Sequence, residues 1–144
     1  MKKTAMKIMA IVLCAVMLLS FAACGGKTKT VSDYINSKDF QTELNDMKSS
    51  LEGSGMDIDV TAEGNTLVMT YTMDMSALGV DEVTEEDKAA LGESLSSALG
   101  GASDTFVELA DELAGEGVEN PVVRVTYKLS DGSVLASEDF PASK

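Results

Sequence analysis

The stretch MDIDVTAEGNTLVMTYTMDM, residues 56–75, alternates apolar and polar side chains on both sides of a central Gly64-Asn65 pair. Such alternation is typical of strands with one buried face, and a Gly-Asn break between two such runs predicts a hairpin with a type II′ turn. The predicted cross-strand pairs are Ala62–Leu67, Val60–Met69, Ile58–Tyr71 and Met56–Met73, apolar on apolar throughout. This hairpin decides the fold, because its register determines which side of the sheet faces the core.

Helices are predicted on both sides of this hairpin. Before it, Ser37 is a favourable N-cap. Apolar residues then recur at helical spacing: Phe40, Leu44, Met47 and Leu51. After the hairpin, Thr84 and Asp87 form a capping box in front of an apolar face that runs from Leu91 to Leu113. The helical spacing of these apolar residues continues without a shift across residues 100–101, which predicts one helix of about thirty residues. A break at these two glycines, which together cost roughly 2 kcal/mol of helix propensity, is the alternative.

A second hairpin is predicted over residues 121–140. Asp131-Gly132 between two alternating runs is typical of a type I′ turn. The predicted pairs are Leu129–Val134, Tyr127–Ala136, Val125–Glu138 and Val123–Phe140. The order helix, hairpin, helix, hairpin favours an α+β two-layer sandwich, with a four-stranded antiparallel sheet and both helices on one face.

The first 23 residues have the features of a secretory signal peptide. Three lysines within residues 1–7 precede the apolar run IMAIVLCAVMLLSFAA, which ends in small residues. The sequence FAAC, residues 21–24, resembles a bacterial lipobox, in which a cysteine after small residues is diacylated on sulfur and becomes the mature N-terminus. Ala22, Ala23 and Cys24 fit that pattern, and Phe21 stands where it prefers leucine. The resemblance implies a diacylglycerol and a fatty acyl group on Cys24, and no other cofactor is expected.

This interpretation divides the chain into a signal peptide over residues 1–23, a flexible tether over 24–30 and one α+β domain over 31–144. Cleavage would also remove Cys14, the other cysteine, so Cys24 would have no intrachain disulfide partner. Two acyl chains give stable attachment to a bilayer. The protein is therefore expected to be lipid-anchored on the extracytoplasmic face of the cell membrane.

The acidic composition limits the classes of partner and of chemistry. The chain has 11 basic and 24 acidic residues, and loss of the three leader lysines would leave 8 against 24. Such a charge argues against nucleic acid, whose phosphates need basic patches. The chain has no histidine, which excludes Ser-His-Asp and Cys-His catalysis. A non-enzymatic binding module is expected, and a carboxylate- or calcium-dependent enzyme or metal-binding protein of the envelope is the alternative.

The candidate binding residues lie on the solvent side of the predicted sheet. Arg124 and Lys128, two apart on one strand, are conspicuous in a chain with few cations. With Thr70 and Thr72 on the first hairpin they suggest a flat docking surface for an envelope protein or a glycan. The competing interpretation is that both cations form ordinary cross-strand ion pairs with acidic neighbours.

Two further sets of residues invite a metal hypothesis. Weak candidates for calcium are Asp81, Glu82, Glu85, Glu86 and Asp87, but they lack EF-hand spacing and partly occupy a helix's first turn, where acids are favourable. Thioethers that could bind a soft metal are Met47, Met56, Met69, Met73 and Met75. All five fall on inward-facing positions, which favours core packing instead.

Three stretches together resemble a known group of proteins. They are VSDYINS at residues 31–37, the alternating hairpin after GSGM, and VTYKLSDGSVLASEDF at residues 125–140. They are similar to small lipoproteins of unknown function from Gram-positive bacteria, over most of residues 31–140. The resemblance implies a compartment and a fold, and it carries over no catalytic residue.

Overall fold

The structure, a computed structural model, describes residues 30–143. Within those residues the chain has an α+β fold of four helices and four strands. In chain order these are α1 (Val31–Ile35), α2 (Lys38–Leu51), β1 (Met56–Glu63), β2 (Thr66–Met73), α3 (Glu85–Gly101), α4 (Ser103–Gly115), β3 (Val122–Leu129) and β4 (Val134–Pro141). The strands form one sheet in the order β1-β2-β3-β4.

β1 and β2 form the hairpin that the alternating stretch predicts. All four predicted pairs are present, from Ala62–Leu67 at the turn to Met56–Met73 at the open end. Gly64 has a φ of 59°, the positive value that the first central residue of a type II′ turn requires. Buried and exposed residues alternate along most of β1, so one side of the hairpin faces the core. The hairpin and its register are confirmed.

The sheet is mixed, and the prediction of a wholly antiparallel sheet is wrong. Each hairpin is antiparallel, but the central strands β2 and β3 are parallel, with Thr66 opposite Val122 and Met73 opposite Leu129. The reason lies in the connection between them. The chain leaves the end of β2, passes through α3 and α4, and enters β3 level with the start of β2. A helical crossover joins parallel strands in this way, whereas short turns join antiparallel ones.

Asn65, in the first turn, fastens the two hairpins together. Its carbonyl oxygen accepts a hydrogen bond from the Val122 backbone nitrogen at 3.0 Å, and its Nδ2 donates to the Glu119 carbonyl at 2.6 Å. At the other end of the parallel pair, the Ser130 nitrogen donates to the Met73 carbonyl at 3.0 Å. Both ends of β2 and β3 are therefore held level, which prevents a slip that would turn core residues outward.

The long helical segment consists of two helices, so the single predicted helix is wrong and the break at the glycines is correct. α3 and α4 meet at Ala102, whose φ of −102° and ψ of 8° interrupt the helical path. A continuous helix over residues 85–115 would be about 46 Å long. A strand of eight residues spans only about 26 Å. The break lets α3 and α4 both pack against β4, with α4 also against β3.

The turn between β3 and β4 is not the predicted type I′ turn. That turn needs a positive φ at both central residues, but of Asp131 and Gly132 only the glycine has one, at 92°. The Gly132 nitrogen donates to the Leu129 carbonyl at 2.9 Å, and the Leu129 nitrogen donates to the Ser133 carbonyl at 2.8 Å. This is the three-residue hairpin loop in which a type I turn is followed by a left-handed glycine.

β4 contains a bulge that changes its register near this turn. Three predicted pairs are present: Tyr127–Ala136, Val125–Glu138 and Val123–Phe140. The fourth is wrong, because Val134 pairs with Lys128 and Leu135 is an extra residue. Val134 therefore lies on the solvent side, 62% exposed. Leu135 is partly buried against the core.

The core is a single cluster between the helices and one face of the sheet. Buried residues of all four helices belong to it together with the inward-facing residues of every strand. On this one face, α1 and α2 lie at the β1 edge, and α3 and α4 lie towards the β4 edge. The five methionines singled out above are Met47, Met56, Met69, Met73 and Met75, and all are buried in this cluster. Their predicted role as core residues is confirmed.

Gly92 of α3 lies against the bulge, and this contact is a test of the helix–sheet packing. A Cβ at residue 92 would be 2.6 Å from the Leu135 carbonyl oxygen, a backbone atom that cannot rotate away. We expect Gly92→Ala to lower the free energy of unfolding by about 1–3 kcal/mol in urea denaturation, as overpacking does. The matched control is Gly100→Ala in the same helix, where nothing lies within 4 Å. That variant should gain up to about 1 kcal/mol, and equal effects of the two would contradict the close contact.

The two central tyrosines provide a second test. Tyr71 and Tyr127 face each other across the parallel pair, with ring centroids 4.9 Å apart, and neither hydroxyl has a hydrogen-bond partner among the described residues. A buried hydroxyl without a partner destabilises the fold. We therefore expect Tyr71→Phe to raise the free energy of unfolding by about 1 kcal/mol, with Tyr127→Phe acting in the same direction. A loss of stability in urea denaturation would show that the hydroxyls are hydrogen-bonded in solution.

Candidate functional site

The sheet face opposite the helices, here called the open face, is a polar surface to which all four strands contribute. Its residues belong to none of the core cluster and follow from the strand registers. They are Asp57, Asp59, Thr61 and Glu63 on β1; Thr66, Val68, Thr70 and Thr72 on β2; Val122, Arg124, Thr126 and Lys128 on β3; and Val134, Ser137, Asp139 and Pro141 on β4. All four predicted binding residues, Thr70, Thr72, Arg124 and Lys128, therefore lie on one surface.

Arg124 is held in an ion-pair network at one end of the open face. Its Nε and Nη2 donate to the two carboxylate oxygens of Asp139 at 2.7 and 3.1 Å, a bidentate arrangement. Its Nη1 donates to Glu63 Oε2 at 3.2 Å. These hydrogen bonds hold the pKa of the Asp139 carboxyl below its usual range. Arg124 thus links β3 to β4 and β1, as the ion-pair interpretation expected.

Lys128 is in a different situation at the other end of the open face. Among residues 30–143 it forms no ion pair, although its side chain is half-buried. Residues that pair across neighbouring strands form a row of the sheet, and the row of Lys128 contains Thr72 on β2 and Asp57 on β1. In the next row, the Thr126 and Ser137 hydroxyls hydrogen-bond to each other at 2.9 Å. The Lys128 ammonium group is therefore available to form an ion pair with an acidic group of another molecule.

The acidic segment at residues 81–87 does not form a metal site in the described part of the chain. No group of three histidine, cysteine or carboxylate residues converges there or elsewhere within residues 30–143. Asp87 instead closes the predicted capping box, accepting from the Thr84 nitrogen at 3.0 Å, while Thr84 Oγ1 accepts from the Asp87 nitrogen at 3.2 Å. The Thr84 hydroxyl also donates to Asp87 Oδ2 at 2.7 Å, and this bond together with the one from the Thr84 nitrogen lowers the pKa of the Asp87 carboxyl. Glu85 pairs with Lys88 at 3.0 Å.

Lys88 is a residue whose role sequence reasoning missed. Its Nζ lies 3.3 Å from Ser133 Oγ and 3.7 Å from Asp131 Oδ2, so it joins the start of α3 to the β3–β4 turn. It stands in an open groove of about 490 Å³ between α3 and that turn. The i,i+3 spacing from Glu85 was readable in the sequence, but the contact with the turn depends on the crossover topology.

Cys24, the predicted lipid-attachment residue, lies outside the described residues. The same holds for the signal peptide and for nearly all of the tether. Within residues 30–143 no helix is both long enough and apolar enough to cross a bilayer.

Comparison with known proteins identifies the family. Residues 31–140 match the family described as Domain of unknown function (DUF4854), and the chain belongs to it. The match spans most of the chain and ends within β4. No curated protein and no solved structure matches the chain.

The Arg124 network makes a prediction about pH. Asp139 has a lowered pKa when folded, so its pairing stabilises the protein above the unfolded pKa of about 3.9 and is lost as the pH falls through the folded value. We expect Asp139→Asn to lower the melting temperature at pH 7, and this difference from the unsubstituted protein should shrink steadily below pH 4.

The control for this prediction is Asp59→Asn, because Asp59 lies on the same face and forms no ion pair among the described residues. Its melting curve should follow that of the unsubstituted protein more closely at neutral pH. An Asp139→Asn difference that is constant from pH 7 to pH 3 would contradict the network's contribution.

Proposed function

We propose that the protein is a lipoprotein anchored through Cys24 on the extracytoplasmic face of the cell membrane, where its domain acts as a non-enzymatic interaction module. The observation that carries the anchor is the sequence Phe21-Ala22-Ala23-Cys24 at the end of a basic and then apolar leader. The family match begins at residue 31, shortly after that cysteine. The leader and tether therefore lie outside the region that defines the domain.

The interaction role is supported by the open face. It is a surface of 16 residues on four strands, rich in threonine and valine, with carboxylates along β1 and cations along β3. An exposed polar sheet face is better suited to a macromolecular surface than to a small substrate, which is usually enclosed in a concave pocket. An envelope protein or a glycan are the partners that this surface could contact, and the net negative charge disfavours nucleic acid.

The length of the tether is consistent with a domain held close to the bilayer. From Cys24 to Thr30 the chain extends at most about 20 Å at ~3.4 Å per residue. Thr30 itself caps α1, since its Oγ1 accepts a hydrogen bond from the Asp33 nitrogen at 3.0 Å. Val31 and Tyr34 of α1 are buried in the core, so the domain begins where the tether ends.

The anchor is tested by the intact mass of the protein extracted from bacterial membranes. We expect a chain that begins at Cys24 and carries a mass increment of diacylglycerol and acyl size. Cys24→Ala should abolish both the increment and the cleavage. The matched control is Cys14→Ala, which should leave the mass of the mature form unchanged because residue 14 lies in the leader. A protein that keeps residues 1–23 and has no lipid would contradict the proposal.

A further inference from the structure

The charges of the open face lie in separate columns. β1 carries the acidic column and β3 the basic one, while β2 between them has no charged residue on this face. Asp57, Thr72 and Lys128 share one row, because Asp57 pairs with Thr72 and Thr72 with Lys128. The acidic and basic columns are therefore placed symmetrically on either side of β2.

The charges at the two ends of that row are unpaired. Neither Asp57 nor Lys128 forms an ion pair among the described residues. Their strands are two spacings apart, about 9.6 Å, and their side chains do not meet in this structure. Each of the two is therefore available to a charge that comes from outside the domain.

We infer that the open face of one molecule packs on the open face of a second copy, about a two-fold axis that runs along β2. This inference rests on the proposed function, in which the open face is the contact surface and Cys24 is the anchor. Rotation about this axis puts β1 of each copy opposite β3 of the other and keeps the rows level. Lys128 of each copy then faces Asp57 of the other, and both ion pairs form together, as in any isologous contact.

The charge columns select this orientation over the other face-to-face arrangement. A two-fold axis across the strands would place β1 on β1, so that Asp57, Asp59 and Glu63 of the two copies would meet. Like charges at close range in an interface are strongly unfavourable. The axis along β2 instead leaves the uncharged residues at the centre, where Thr70 and Thr72 each face their own counterpart.

The same axis suits two molecules anchored in one membrane. A rotation about an axis along the strands leaves every atom at the same height along that axis. If the axis stands normal to the bilayer, both copies of Thr30 are equally far from it, and both tethers can reach the same leaflet. An axis lying across the strands and in the membrane plane would direct the two tethers to opposite sides.

The area of the contact indicates that pairing depends on the anchor. Three strands of each copy overlap, a patch of about 14 by 26 Å, or roughly 400 Å² per copy. Stable interfaces bury about 800 Å² per partner. The contact is therefore weak for freely diffusing molecules, and confinement by the lipid raises the effective concentration that it needs.

Cross-linking in membranes tests the inference with the full-length protein. A cysteine at Thr72 lies beside its counterpart across the axis, whereas a cysteine at the exposed Ser97 on α3 lies on the far side of the domain. We expect a membrane-impermeant bismaleimide to convert Thr72→Cys, and not Ser97→Cys, into a covalent dimer. The protein without an added cysteine controls for the Cys24 thiol.

Charge reversal identifies the orientation. In the Thr72→Cys background, Lys128→Asp or Asp57→Lys alone should lower the dimer yield about tenfold, since two attractive pairs become repulsive. The two substitutions together exchange the charges and should restore the yield. Asp59→Lys, on the same strand one row away, serves as the matched control and should have a smaller effect.

The outcomes separate this inference from the anchor. Equal cross-linking of Thr72→Cys and Ser97→Cys, or no rescue by the charge exchange, would overturn the pairing. The intact mass of the same samples reports the anchor independently. A lipidated protein that does not cross-link through Thr72 overturns the pairing alone, and an unlipidated protein that does so overturns the anchor alone.

Discussion

The parallel pairing of β2 with β3 is the constraint on which the remaining structure depends. It joins two antiparallel hairpins into one sheet and requires the intervening chain to cross from one end of the sheet to the other. That crossing consists of α3 and α4, which must break at Ala102 to stay over strands of eight residues. The hydrogen bonds of Asn65 to Glu119 and Val122 then hold the two hairpins in register.

Local features of the sequence predict the local features of the fold well. The first hairpin, its turn glycine, the caps at Ser37 and Thr84 and the buried methionines all follow from periodicity and turn chemistry. Two features that involve distant residues escape this reasoning. The strand direction depends on how the crossover packs, and the bulge at Leu135 depends on a helix that approaches β4 through Gly92.

The candidate site shows the same division between local and distant information. The alternation of side chains along each strand predicts that Thr70, Thr72, Arg124 and Lys128 lie on one face, and the strand registers confirm this placement. This alternation does not show which of the two cations forms ion pairs. Arg124 reaches Asp139 on β4 and, across β2, Glu63 on β1, whereas the neighbours of Lys128 are Val134 on β4 and Thr72 on β2, with Asp57 beyond it. The difference arises from which residue of β4 stands opposite each cation, Asp139 for Arg124 and Val134 for Lys128.

The parallel pair also explains why the open face is unusual. Parallel strands normally occur in sheets that are covered on both faces, and their sequences are then apolar on both sides. Here the helices cover one face only, and the outer side of β2 and β3 carries threonines and cations with few apolar residues. Val68 is the one position of that side buried within the described domain. The sequence is thus adapted to leave this face in contact with water or with another polar surface, and its charges, sorted by strand, determine which surface fits.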